Sequence, residues 1–153
     1  MIIATLAHHT NNVNAIELSR DELYLFSAGD DMRISLWYTD NWNLLCEVFL
    51  DFSIYSLQMS NDSQFLMCKS KDEKNVCFYA LEENNEAIRL NFSIKNVQEC
   101  YVSANEEDLV VYQMKKEIEV WNLKSKVREK LITHGDHDFN TITVSYKPGF
   151  IYV

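Results

Sequence analysis

Glycine and proline are scarce in this chain of 153 residues, which contains three glycines and one proline. That scarcity excludes a collagen-like chain and a glycine- or proline-rich low-complexity segment. A disordered chain is also excluded, because 47% of the residues are hydrophobic and only 24% are charged. The turns must therefore be built mainly from Asn, Asp and Ser, whose side chains hydrogen-bond to the nearby backbone.

Long apolar runs are absent as well. No stretch approaches the roughly 18 apolar residues that a membrane-spanning helix requires. Residues 1–7 are apolar, but they lack a basic start and are too short for a signal peptide. The net charge of −9 repels phosphate backbones and anionic lipid surfaces. We therefore expect neither nucleic acid nor a membrane as a partner, and an acidic surface favours a basic protein.

Cysteine is present without any paired spacing. Cys46, Cys68, Cys77 and Cys100 are scattered through apolar, strand-like segments, and no C-x-x-C motif occurs. Buried free thiols are the simplest interpretation, and they indicate a reducing compartment. This predicts a cytoplasmic protein.

A repeat is the strongest feature that the sequence does contain. Trp37 and Trp121 end two similar stretches that are 84 residues apart, and Tyr79 lies midway between them. The matching stretches run over 13–37 and 97–121, and a middle copy over 54–79 has one extra residue. A fourth copy begins at 139–145. A fixed period of this size predicts a chain built from copies of one supersecondary unit.

Each copy has the pattern of four short strands separated by polar turns. In the first copy, 23–27 is apolar and aromatic, 33–37 alternates with period two, and 44–50 forms an outer strand. A turn at Gly29 is expected to use a positive φ angle. The segment 72–85 is the best helical candidate, but its residues 76–79 align with strands of the other copies. The sequence therefore predicts an all-β fold.

Six residues of the first copy carry a family resemblance: His9, Ser19, Asp21, Ser27, Asp31 and Trp37. In their order and spacing they resemble a WD repeat of a β-propeller. The resemblance implies a hydrogen-bond network in which His9 contacts Asp31 and Ser27, and Ser27 accepts the indole N–H of Trp37. These are the residue types of a Ser-His-Asp triad, but the resemblance implies a structural role inside a blade, with no catalytic residue.

The other copies keep less of this pattern. In the second copy the histidine, serine and tryptophan positions hold Leu50, Cys68 and Tyr79. In the third copy the histidine, serine and aspartate positions hold Ser93, Val111 and Lys115, and only Trp121 remains. We expect these two copies to be held together by apolar packing alone.

The resemblance implies an incomplete β-propeller of four-stranded antiparallel blades. The expected blades span about 9–50, 51–92 and 93–133, with a partial blade at 134–153 and an outer strand of a preceding blade at 2–6. Two interpretations remain open: the chain is a fragment of a longer protein, or it is a short chain completed by a partner or a second copy. Because an open arc exposes apolar faces and strand edges, self-association is expected.

The implied function is a non-catalytic scaffold or adaptor that binds other proteins through loops at the blade tops. The alternatives are a regulatory module of a larger enzyme and a structural subunit of a large assembly. The loop residues nominated for partner binding are Thr10, Asn12, Asp30, Arg33, Ser53, Lys71, Lys74, Lys115, Lys116 and Asp138.

One segment has the residue types of a metal site. The run 134–138 contains two His and two Asp residues. Adjacent residues on a short loop point in different directions, so we interpret the run as the loop entering the fourth copy. We expect no metal and no cofactor.

Overall fold

The computed structural model describes residues 4–71, 75–82, 87–97, 99–102, 109–114, 116–133, 143–144 and 151–152. Within these ranges every regular element is a strand, and the longest sheets are four-stranded and antiparallel. The predicted all-β class is confirmed. A helix long and apolar enough to cross a membrane is not found in the described part of the chain.

The strands form three consecutive sheets and one hairpin. The first sheet contains β1 (Val13–Leu18), β2 (Tyr24–Gly29), β3 (Arg33–Tyr38) and β4 (Asn43–Phe49). The second contains β5 (Ile54–Met59), β6 (Phe65–Ser70), β7 (Val76–Leu81) and β8 (Ile88–Ile94). The third contains β9 (Glu99–Val102), β10 (Leu109–Met114), β11 (Glu117–Asn122) and β12 (Val127–Thr133). The hairpin pairs β13 (Thr143–Val144) with β14 (Ile151–Tyr152).

Strand order follows chain order in each four-stranded sheet. In every one of them the register shifts just before the aromatic residue of the third strand (Trp37, Tyr79 or Trp121), because the fourth strand has one extra residue there, a β-bulge. A bulge increases the local twist and redirects the following side chain. The three repeats therefore share one backbone design as well as a sequence period.

Two boundaries differ from the prediction. Strand β8 continues to Ile94, two residues beyond the expected blade limit at 92. Residues 4–12, which include the described part of the expected outer strand at 2–6, form no strand. A strand requires a hydrogen-bonding neighbour, and within the described residues no strand pairs with this segment.

Several turns adopt left-handed backbone conformations without glycine. Left-handed φ angles are carried by larger residues at equivalent turns: Glu22 and Ser63 after the first strand, and Trp42 and Lys126 after the third. Gly29 is needed for a different reason from the one predicted. A Cβ at this position would lie 1.9 Å from the carbonyl oxygen of Asn12, which accepts the next backbone N–H in the chain.

The core lies between the sheets, and the middle sheet is buried on both faces. In β7, Cys77, Tyr79 and Leu81 pack towards the first sheet, whereas Val76 and Phe78 pack towards the third. This explains why the central strands are continuously apolar, since side chains alternate between two buried faces.

Polar contacts also join neighbouring sheets. The Asn14 side-chain amide donates to the backbone oxygen of Ile54 at 2.9 Å, which links the first sheet to the second. The Asn91 side-chain amide donates to the backbone oxygen of Leu123 at 3.0 Å, which links the second to the third. These contacts and the shared core fix the sheets side by side and hold the loops at their ends in position.

The outward face of β1 is different. Ile16 and Leu18 are 66% and 49% exposed, although both are large and apolar. They point away from the core shared with the second sheet, so the first sheet presents an uncovered apolar strip there.

Candidate functional site

The first repeat contains a buried polar network. His9 Nδ1 lies 2.9 Å from Asp31 Oδ2, and His9 Nε2 lies 2.7 Å from Ser27 Oγ. The indole N–H of Trp37 donates to Ser27 Oγ at 2.9 Å. The side chains of His9 and Asp31 are 5% and 2% exposed. Ser27 lies on β2 and Trp37 on β3. His9 lies in the segment before β1, and Asp31 lies in the turn between β2 and β3.

The partners in this network fix the roles of three of its groups. The Asp31 carboxylate and the Trp37 indole each have one fixed role, as acceptor and donor respectively. His9 Nδ1–H therefore donates to Asp31, and His9 Nε2 shares a hydrogen bond with the Ser27 hydroxyl. Ser27 is 6% exposed, and its oxygen is occupied by two neighbours. No substrate can reach the Ser27 oxygen, so the geometry is structural and differs from a nucleophilic triad in access.

Asp31 is ionised in this network. Burial opposes ionisation of the carboxyl group, but hydrogen bonds from His9 and from the Thr10 backbone N–H, together with the charge of Arg33, outweigh it. The pKa of Asp31 is therefore lowered. This carboxylate ties the loop before β1 to the turn between β2 and β3.

The third repeat satisfies its tryptophan in another way. The Trp121 indole N–H donates to Glu119 Oε2 at 2.6 Å, and Arg128 Nη1 lies 3.4 Å from Glu119 Oε1. Glu119 is 8% exposed. The prediction that this repeat is held by apolar packing alone is wrong, because a buried indole N–H requires an acceptor and a same-face residue two positions earlier provides one.

Strand register also corrects the alignment of the third repeat. Trp37 pairs with Leu25, whereas Trp121 pairs with Val110, so Tyr112 occupies the register position of Ser27. Val111 was the predicted counterpart, but the hairpin between β10 and β11 is one residue shorter. Ser93, the predicted counterpart of His9, lies within β8 opposite Cys77 and not in a connecting loop.

Several nominated partner-binding residues meet at one end of the first two sheets. Asp30 accepts hydrogen bonds from the side-chain amides of Asn12 at 3.3 Å and Asn14 at 2.7 Å. Lys71 Nζ lies 3.6 Å from Asp30 Oδ1, and the Ser53 hydroxyl lies 3.5 Å from the Asp30 backbone oxygen. We call these five residues the loop surface. They come from four loops or strand ends, so only the fold brings them together.

Two further nominated residues lie beside the loop surface, at the edge of the polar network. The Thr10 backbone N–H donates to Asp31 Oδ2 at 3.0 Å. Arg33 lies 3.8 Å from Asp31 and 3.4 Å from Glu47, which in turn lies 2.6 Å from His8 Nε2. Arg33 is therefore engaged within the first repeat.

Lys116 lies in the turn between β10 and β11 and is exposed. Lys74, Lys115 and Asp138 lie outside the described residues, as does the whole run 134–138. Within the described ranges, no group of three or more His, Cys, Asp or Glu side chains is placed to hold a metal ion.

A cleft between the first and second sheets was not predicted. Its volume is about 510 Å³. The residues lining it are Phe49, Leu50, Asp51, Phe52, Asn75, Cys77, Tyr79, Leu90, Ser93, Ile94 and Lys95. A volume of this size suits a small ligand or a short peptide segment. Sequence comparison of the repeats could have indicated it, because shorter side chains replace longer ones at this place.

The thiols beside the cleft are free and poorly ionised. Cys68 and Cys77 are directly opposite each other on β6 and β7, and both are buried. Burial and the nearby Asp51 carboxylate raise the pKa of Cys77 to about 11. Burial also raises the pKa of Cys68. Neither group has the lowered pKa of a nucleophilic cysteine.

Comparison with known proteins gives a family match and structural neighbours. The family described as WD domain, G-beta repeat matches residues 1–38. The structure of U3-55K aligns with a TM-score of 0.67 at 12% identity, covering 87% of this chain and 42% of that one. The crystal structure of the RRP9 WD40 repeats aligns with the same TM-score and coverage. At this identity the structural likeness shows the fold alone.

Curated relatives point to the same family. The WD repeat-containing protein WDS homolog of Arabidopsis thaliana is 26% identical over 97% of this chain. Eukaryotic translation initiation factor 3 subunit I of Dictyostelium discoideum is 31% identical over 46% of it. The chain spans 29% and 21% of the lengths of these relatives. The sequence match over residues 1–38 and the fold support a partial WD-repeat β-propeller, as predicted.

Proposed function

We propose that the chain is a non-catalytic scaffold or adaptor that binds a partner protein through the loop surface. WD-repeat domains generally mediate protein–protein interaction. The observation that carries the proposal is the convergence of Asn12, Asp30 and Lys71 from two sheets. Rigid strands that present polar side chains from several loops form a preorganised recognition surface.

A structural subunit of a large assembly is the second candidate. It is favoured by the relative from Dictyostelium discoideum, which is by name a subunit of a translation initiation factor. A regulatory module of a larger enzyme is the third. It is compatible with the short span that this chain occupies in its relatives. Both alternatives would use the same loop surface, with the partner supplied by the assembly or by another domain.

We propose a cytoplasmic location on the basis of the thiols. Cys68, Cys77 and Cys100 are buried and free, and Cys46 is free and half-buried. Reduced cysteines are typical of proteins that work in a reducing compartment. Imaging of a fluorescent fusion tests this location, and an exclusively extracellular or vesicular signal would contradict it.

The binding proposal is tested by a pair of matched double variants. Asp30→Asn with Lys71→Gln removes both charges of the loop surface, and Asp40→Asn with Lys126→Gln removes one charge of each sign at the opposite strand ends. Proteins captured by each variant after crosslinking are quantified by mass spectrometry. We expect the loop-surface variant to lose partners that the control variant keeps. Equal capture by all three proteins, or no capture by any, contradicts the proposal.

A further inference from the structure

The cleft lies in the second repeat, at positions that correspond to a charged cluster in the first repeat. Register makes the correspondence explicit: Ser35 pairs with Glu47 in the first sheet, and Cys77 pairs with Ser93 in the second. The glutamate of the first repeat is thus a serine in the second. The cleft is the space that this shortening leaves open.

An arginine of the first repeat is also replaced by a shorter residue in the second. Arg33 stands four residues before Trp37, and Asn75 stands four residues before Tyr79. In the first repeat the Arg33 guanidinium lies 3.4 Å from Glu47 and 5.1 Å from the centre of the Phe49 ring. The second repeat has no cation at the corresponding position.

The third change concerns an aromatic contact. His8 packs edge-on against Trp37, with ring centres 5.5 Å apart. Phe49 occupies the corresponding place, five residues before β5 begins, as His8 lies five residues before β1. Phe49 is 67% exposed and forms part of the cleft wall instead of filling the cleft. The exposed aromatic surface of the cleft is therefore the Phe49 ring, because Tyr79 is buried in the core.

The walls of the cleft suit a planar cation. Asp51 is exposed at the mouth, and no ion pair engages it within the described residues. Phe49, which is 67% exposed, supplies aromatic surface, and the Ser93 hydroxyl supplies an acceptor. A guanidinium stacks on aromatic rings and donates to carboxylates, more readily than an ammonium does. The net charge of −9 attracts a basic segment to this surface.

We propose that this cleft receives an arginine side chain from a basic segment of a partner protein. The arginine lies at the position that corresponds to Arg33 of the first repeat, with its guanidinium between the Asp51 carboxylate and the exposed Phe49 ring. The inference rests on the proposed interaction function, since it names the chemistry of a partner. The residues that line the cleft differ from the five residues of the loop surface.

Lys95 allows the direction of an affinity change to be predicted. This exposed lysine also lines the cleft, and its charge opposes a bound cation. Removing Lys95 must therefore strengthen arginine binding, and removing the Asp51 charge must weaken it. A ligand carrying a carboxylate would respond to both changes in the opposite direction.

The probe is the blocked tripeptide acetyl-Gly-Arg-Gly-amide, titrated into the isotope-labelled 153-residue chain and followed by backbone amide NMR shifts. We expect shifts at Asp51, Cys77 and Lys95, with roughly millimolar affinity for so short a peptide. Asp51→Asn weakens binding about threefold or more, and Lys95→Gln strengthens it by a similar factor. The isosteric citrulline peptide, which lacks the charge, binds at least about threefold more weakly than the arginine peptide.

Controls separate this proposal from the loop surface. Asp40→Asn should leave tripeptide affinity unchanged, and the spectrum away from the cleft reports whether each variant is folded. Absence of shifts at the cleft, equal binding of the citrulline peptide, or preference for a glutamate peptide overturns the arginine proposal. If the tripeptide fails while Asp30 and Lys71 variants still lose partners, only the cleft inference falls.

Discussion

The first and second repeats have the same backbone arrangement and differ in the side chains that pack against it. Both have four antiparallel strands, the same strand order and a register shift just before the aromatic residue of the third strand. The first repeat joins its loops through the ionised network of His9, Asp31 and Ser27. The second places Leu50, Cys68 and Tyr79 at the corresponding positions, within or against an apolar cluster.

The comparison shows that strand pairing and the shared core define a blade, whereas the polar network is one of several ways to complete it. The second repeat is flanked by sheets on both faces, so apolar burial is available on each side. The outward face of the first repeat has no neighbouring sheet within the described residues, as the exposure of Ile16 shows. In the first repeat, the hydrogen bonds of His9 with Asp31 and Ser27 stabilise the loops without help from a second neighbouring sheet.

The largest effect is expected from making the first repeat like the second. His9→Leu leaves the buried Asp31 carboxylate without its main partner and removes a hydrogen-bond partner of the Ser27 hydroxyl. We expect a loss of about 3 kcal/mol in the free energy of unfolding. Urea denaturation followed by tryptophan fluorescence measures it.

Leu50→Met is the matched control, because it changes the corresponding position of the second repeat without changing polarity. We expect it to cost less than about 1.5 kcal/mol. Equal costs for His9→Leu and Leu50→Met would mean that the network adds nothing beyond packing.

A smaller effect is expected in the third repeat. Glu119→Leu leaves the indole N–H of Trp121 without an acceptor and should cost about 2 kcal/mol. Glu119→Gln keeps an acceptor oxygen and should cost clearly less. The same urea experiment compares the two variants, and identical losses would show that the 2.6 Å contact has no energetic role.

The smallest effect is a dependence on pH. The pKa of Asp31 is lower in the folded chain than the value of about 3.9 for an unfolded one. The carboxylate therefore stabilises the fold fully above about pH 5, and this contribution is lost as the pH falls through the folded-state pKa. Asp31→Asn should be less stable than wild type at pH 7 and show a shallower decline between about pH 5 and pH 2. Parallel acid unfolding curves would contradict this.

The sequence predicted strands closely where periodicity and repetition agreed. The expected strand at 33–37 is found at Arg33–Tyr38, and the expected outer strand at 44–50 is found at Asn43–Phe49. The candidate helix at 72–85 contains β7, because alignment with the other repeats was a better guide than local propensity. The hydrogen bonds of His9, Ser27 and Trp37 follow the spacing that the family resemblance implied.

Other features required the fold. Glu119 reads as an ordinary charged residue of an alternating strand, and only its depth beside Trp121 makes it an acceptor. The counterpart of Ser27 in the third repeat depends on hairpin length, which ungapped alignment hid. The cleft depends on side chains from four strands or loops whose sequence separation exceeds forty residues.

The amino-acid order alone determined the period, the strand-forming segments and the residues able to form one buried network, since each is a local pattern of polarity and spacing. Tertiary structure decided which acceptor each buried indole found, which loop residues became neighbours, and where shortened side chains left space. These depend on register and on the packing of one sheet against the next, and both are set by contacts between residues far apart in the chain.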